Sequence, residues 1–260
     1  MTFALAAGSP IDAQQDGPVL ILRINRPEAM NALNGQVLAD LNAAARYAEK
    51  NDSVHCVVLT GAPRADGRPC FSAGDDLKEA AAGLHPAGNP GNKLCNAIDD
   101  SLTPWIAVID GVCTTGALEV ALACDLRVVA HTAQISDWHL ARLGSGLGGW
   151  GASTRLSRLV GVAQAKDIIL TGKVLDGAEA HRIGLAQRVV TSDQLWEEAM
   201  GMANAIAGMN PHGVRMTMAH LSRVQDLSKD ESLAFAKQVR QWFVDDGSFA
   251  DRAKKVLDTK

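Results

Sequence analysis

Short β-branched runs that end in glycine and give way to helical periodicity recur along the first half of this chain. That alternation limits it to a few architectures. Pro18 to Asn25 follows an apolar strand pattern broken by Arg26-Pro27-Glu28, after which Gln36 to Lys50 carries Val37, Leu41, Ala44 and Ala48 at helical spacing. His55 to Thr60 predicts a second strand closed by Gly61, and Trp105 to Ile109 a third closed by Asp110-Gly111. A helical run, Ala117 to Ala123, then leads into a further strand, Leu126 to Ala130. Strands that recur with helices between them predict an α/β fold with a parallel or mixed sheet buried by helices.

The second half reads as mainly helical. Asp176-x-x-Glu179, Thr191-x-x-Gln194 and Ser228-x-x-Glu231 each have the form of a capping box and predict three helix starts. Beyond Thr191, Trp196, Met200, Ala203, Met216, Phe235, Val239, Trp242 and Phe243 fall on the apolar faces of amphipathic helices. A cap on the same core and a contact with neighbouring subunits use the same residue types, so both readings stand. The segment from Gly83 to Asn92, with Pro86, Gly88, Pro90 and Gly91, is expected to be the most mobile.

Composition narrows the function classes. With 260 residues, 47% of them hydrophobic, the chain has ample apolar surface for a large core, and its longest apolar runs fall far short of the roughly 20 residues of a membrane span. A soluble protein is expected. The formal charge of −4 and a pI near 6.0 give no global basic field, so neither nucleic acid nor a membrane is an expected partner. Five cysteines, Cys56, Cys70, Cys95, Cys113 and Cys124, form no C-x-x-C pair and read as reduced, half-buried thiols of a cytoplasmic protein. Phe3 to Ala7 is apolar but lacks a basic flank, so no export signal is inferred.

Three glycine segments invite a chemical reading. Gly144 to Gly149 satisfies G-x-G-x-x-G, but Trp138 to Arg142 before it is not a buried strand, so it reads as a flexible turn entering a helix at Ser153 to Leu159 rather than a dinucleotide site. Phe71-Ser72-Ala73-Gly74-Asp75-Asp76-Leu77 and Asp110 to Glu119 each place a glycine where a strand gives way to a helix. Backbone amides at such turns have no partner within the helix, and two brought together can hold an oxygen that gains negative charge. Glu119 follows Gly116 by three residues inside an apolar helix, where it is poorly solvated and suited to proton transfer, unless it faces solvent or pairs with Arg127. No metal-ligand cluster, Ser-His-Asp motif or G-x-x-x-x-G-K is evident, and neither metal nor redox cofactor is expected.

Asn25 to Leu33, Phe71 to Leu77 and Gly116 to Asp125 together resemble, in order and spacing, the crotonase (enoyl-CoA hydratase/isomerase) superfamily. Leu170-Thr171-Gly172, Ala178-Glu179-Ala180 and Ile183-Gly184-Leu185 are similar to the segment that follows in that family, and the resemblance runs from about Val19 to Val190. It implies a crotonase-like spiral of ββα units over residues 1–195 and a C-terminal helical region over 196–260 that builds homotrimers or hexamers. It further implies an acyl-CoA thioester substrate, coenzyme A being part of that substrate, and an enolate held by the amides of Asp75 and Gly116. Ala29, Ala73, Asp75 and Leu77 fall where the family lines the CoA path.

The resemblance makes Glu119 the first glutamate of the hydratases. Their second glutamate is missing: Ala133 to Ala141 contains none. Counting forward from Ala133-Gln134 puts His139 at that position, counting back from Gly149 to Arg155 puts Ala141 there, and an insertion of two residues separates the counts. His139 is favoured as the second catalytic residue, since imidazole can shuttle a proton; a structural histidine held by Asp137 is the alternative. Hydration of a 2-enoyl-CoA is the expected activity. Isomerisation or hydrolysis by the same site, or a silent acyl-CoA-binding homologue, are the alternatives.

Overall fold

The computed structural model describes residues 3, 5–84, 86–242 and 249–258; Phe243 lies outside the described residues. The strands are β1 (Ile11–Asp16), β2 (Val19–Ile24), β3 (Cys56–Gly61), β4 (Cys70–Ser72), β5 (Trp105–Ile109), β6 (Val112–Thr114), β7 (Leu126–Ala130), β8 (Gln134–Ser136) and β9 (Arg188–Val190). The helices are α1 (Gly35–Lys50), α2 (Leu77–Ala81), α3 (Pro90–Asp99), α4 (Gly116–Ala123), α5 (His139–Leu143), α6 (Ala152–Val160), α7 (Val162–Thr171), α8 (Gly177–Arg182), α9 (Leu195–Ala207), α10 (Pro211–Leu221), α11 (Lys229–Trp242) and α12 (Phe249–Asp258).

Two sheets share the strands. A six-stranded sheet runs β1-β2-β3-β5-β7-β9 and is parallel apart from the β1/β2 hairpin, while a three-stranded parallel sheet runs β4-β6-β8. Each of β3, β5 and β7 is therefore followed by a second short strand in the other sheet before the chain turns into helix. Four of the strands read from the sequence, β2, β3, β5 and β7, are present to within a residue or two, and all belong to the large sheet. The small sheet was not foreseen, because strands of three residues are too short to show a period of two.

The chain divides into compact units of residues 1–208 and 209–260. In the first, Leu22, Leu59, Trp105, Ile109, Leu118 and Leu156 belong to one core, and α9 covers the other face of the large sheet with Leu195, Ala199, Ala203 and Ala207 against Val58, Ile106 and Val128. α9 thus sits with the first unit, although the expected boundary at 195/196 puts it with the C-terminal helices. In the second unit α10 and α11 pack together, His220 stacking on Phe235 with ring centroids 6.0 Å apart and Phe235 meeting Trp242 edge-on at 5.8 Å.

Of the expected capping boxes, Ser228/Glu231 forms in full and Asp176 caps its helix, with the Glu179 carboxylate turned instead to Arg182 and Lys173. Asp176 accepts from the Glu179 amide at 2.8 Å, and Ser228 and Glu231 bond reciprocally. Thr191 does not cap a helix: it bonds the Gln194 side chain, and α9 starts only at Leu195. All five cysteines are free and buried rather than half-buried, and burial pushes the Cys70 thiol up to about 11 and that of Cys56 to about 12. Among the described residues no helix is long and apolar enough to cross a membrane.

Candidate active site

Parallel pairing in the small sheet decides what meets at its carboxyl edge. Ser72 pairs with Cys113 and Thr114 with Ser136, so the segments that leave β4, β6 and β8 emerge side by side. They carry Ala73 to Leu77, Thr115 to Glu119 and Asp137 to His139. Cross-links hold them there: Thr114 Oγ1 donates to Ala73 O at 3.0 Å, and the Thr115 amide to Ser136 O at 3.1 Å.

The two glycine turns converge. A Cβ placed on Gly116 would stand 3.2 Å from the Asp75 nitrogen, and one on Gly74 would stand 3.1 Å from the Gly116 nitrogen. Gly116 is the first residue of α4, whose leading amides have no partner within the helix. Thr115 before it holds φ +48°, a left-handed conformation that costs a β-branched residue free energy. Its Oγ1 bond to Ala73 O at 3.4 Å and its amide bond to Ser136 offset that cost. The second turn is fixed by Asp76, which caps α2 through the amides of Lys78 and Glu79 and pairs with Arg26 at 2.8 Å. Alongside runs the segment of Ala29: Leu33 donates to Gly74 O, and Ala73 to Met30 O. Ala29, Ala73 and Asp75 therefore lie along adjoining strands of backbone, with Leu77 exposed at their end.

Glu119 is buried, and it neither faces solvent nor pairs with Arg127. Its Oε1 accepts from the amides of Trp150 at 2.7 Å and Ala152 at 3.0 Å, and its Oε2 lies 3.4 Å from His139 Nε2. The cradle of this carboxylate is the stretch Gly148 to Ala152, whose first two residues end the Gly144 to Gly149 run that the sequence presents as a flexible turn. A Cβ on Gly148 would come within 2.6 Å of Glu119 Oε1, so only glycine fits there. These amides are the part of the site that sequence reasoning missed, and the glycine run was its one signal.

His139 is buried between two carboxylates. Its Nδ1 lies 2.9 Å from Asp137 Oδ1, which also accepts the His139 amide at 3.0 Å. Burial by itself would lower the imidazole pKa, but the hydrogen bonds and charges of Asp137 and Glu119 outweigh it and hold the group up to about 9. Of the two residues that counting offered, His139 is the one beside Glu119. Ala141 turns towards α7, its Cβ 2.8 Å from where a Cβ on Gly172 would stand.

Two adjoining glycine turns with neighbouring backbone nitrogens, a buried carboxylate and, 3.4 Å from it, an imidazole whose pKa two carboxylates raise make a site suited to polarising a carbonyl and moving a proton. The family model for enoyl-CoA hydratase/isomerase matches residues 14–254. The chain belongs to that family. Among its relatives, the short-chain-enoyl-CoA hydratase of Clostridium acetobutylicum is 33% identical over 86% of this chain and 85% of its own. The crystal structure of enoyl-CoA hydratase from Mycobacterium tuberculosis H37Rv superposes with a TM-score of 0.72 at 35% identity, covering 89% of this chain and 99% of that one. That of enoyl-CoA hydratase from Bacillus anthracis gives 0.83 at 29% identity, covering 89% and 90%. As a family member at this similarity the chain is an α/β enzyme of crotonase fold.

Proposed function

We propose that this protein hydrates a 2-enoyl-CoA to the 3-hydroxyacyl-CoA, with its thioester oxygen on the amides of Asp75 and Gly116. The observation that carries the reading is the Glu119 carboxylate, fixed by two backbone amides on one oxygen and turned to His139 with the other, beside the convergent turns. Glu119 takes a proton from water as the hydroxyl adds to C3. The C2=C3 π electrons move towards the thioester, whose growing negative charge the two amides stabilise. His139 Nε2 then delivers a proton to C2, and the proton held by Glu119 returns to the imidazole across the 3.4 Å between them. The reaction needs no resident cofactor or metal; coenzyme A arrives within the substrate, along Ala29, Ala73, Asp75 and Leu77.

The C-terminal helices assemble homotrimers, or hexamers as pairs of trimers. Support comes from Leu221, Leu233, Trp242, Val256 and Leu257, large apolar side chains exposed on that unit. A cytoplasmic setting accords with five unbridged thiols.

Purified protein given crotonyl-CoA, and longer and branched enoyl-CoAs, will bleach the absorbance of the conjugated thioester and yield products heavier by one water. No turnover of any of them while CoA still binds contradicts the reading. A second reading, double-bond isomerisation, is favoured by the imidazole at the second catalytic position. A product of unchanged mass from a 3-enoyl-CoA identifies it.

A further inference from the structure

Hydration uses the backbone of Trp150 but leaves its indole without a role, although that ring packs directly against Gly116. A Cβ on Gly116 would stand 2.6 Å from Trp150 Cζ3 and 3.0 Å from Cη2, and the same point is 3.2 Å from the Asp75 nitrogen. The edge of the indole and the Asp75 amide thus face each other across the width of one atom. On the other side, a Cβ on Gly91 would stand 2.0 Å from Cε2. α3 and α4 both present bare backbone to this ring.

The main chain that carries the ring is held by hydrogen bonds at both its nitrogen and its oxygen. It donates to Glu119 Oε1 at 2.7 Å and accepts from Arg155 Nη1 at 2.7 Å, while Arg155 reaches Asn96 at 2.8 Å and Asp99 at 3.2 Å, both on α3. With C1 of a thioester on the two amides and C3 beside Glu119, the acyl chain runs on towards the residue whose own amide holds Glu119. Trp150, buried between Gly91 and Gly116, packs beside that course.

We propose that Trp150 determines acyl-chain specificity, its indole closing the acyl end of the site so that short 2-enoyl thioesters are accepted and long ones excluded. The proposal rests on the hydratase reading and deepens it. A tryptophan serving only to fill the core would leave chain-length preference unchanged when replaced.

The test compares the wild type with Trp150→Ala and Trp150→Phe in two assays. One is kcat/KM for crotonyl-CoA against 2-octenoyl-CoA; the other is the calorimetric affinity for butanoyl-CoA against octanoyl-CoA. The wild type will favour the short thioester by about tenfold or more, Trp150→Ala will lower that ratio by at least about tenfold, and Trp150→Phe will fall between. The Glu119 bond survives in both variants because it comes from the main chain. A wild type indifferent to chain length, or variants that weaken both thioesters equally, overturns the proposal. If Trp150→Ala does not fold, the ratio for Trp150→Phe decides. If no thioester turns over, the hydratase reading fails while the affinity ratio still judges Trp150.

Discussion

Glu119 is apolar-flanked by sequence yet well solvated by protein, for two amides supply what water would. Glutamine keeps an acceptor for those amides but cannot take a proton. Glu119→Gln should therefore lower kcat by about 10²-fold or more while leaving CoA affinity within about twofold, and equal losses in both would show a structural role instead. His139 is held up to about 9 by its two carboxylates against the lowering effect of burial, so it is charged at neutral pH. Because the imidazolium is the proposed acid, kcat/KM should stay level through neutrality and fall as pH rises through about 9. The same raised pKa contributes stability that is complete below the unfolded value of about 6.5 and is lost as pH climbs through about 9. Asp137→Asn removes a charge that favours the imidazolium, so the basic limb should move down towards neutrality with KM little changed. A limb that does not move means that Asp137 only packs. Glu119 was legible because a carboxylate in an apolar helix is conspicuous. The amides that hold it were not, since backbone donors leave no mark beyond the glycines that make room for them.

Among the elements, α4 bears the most on chemistry and is anchored at both ends by groups the sequence only hints at. At its start, Gly116 leaves no room for a side chain, because a Cβ would meet the Trp150 ring at 2.6 Å. At its end, buried Arg127 donates to the carbonyls of Ala121 and Cys124, to Leu185 O at 2.6 Å and to Asp125 O at 3.3 Å, binding α4 to β7 and to the chain before β9. Arg127→Leu strands these acceptors away from water. It should cost on the order of 3 kcal/mol or more in urea unfolding, and a loss below about 1 kcal/mol would show that water or neighbours replace the guanidinium. Helix starts marked by an acceptor side chain, such as Asp176 and Ser228, were readable; α9 was displaced because Thr191 spends its hydroxyl on the Gln194 side chain. The four central strands of the large sheet, β2, β3, β5 and β7, announce themselves through apolar runs, whereas polar β1 and three-residue β9 at its edges do not. Nor do β4, β6 and β8, and yet their pairing is what brings the site together.

For the whole molecule, local patterns established an α/β class, and only several motifs in register pointed to the crotonase superfamily. The amphipathic C-terminal helices could not be divided between core and interface by composition, because both bury the same side chains. Light scattering on purified protein should give the mass of three or six chains. Leu233→Asp, which charges an exposed apolar position of α11, should shift that mass towards one chain, whereas a monomeric wild type would refute the assembly. Hydration by this site depends most on where the thioester oxygen binds. A crystal structure with an unreactive acyl-CoA analogue should place that oxygen about 3 Å from the nitrogens of both Asp75 and Gly116, with Glu119 facing C3. An oxygen seated elsewhere, or a carboxylate out of reach of C3, would contradict it.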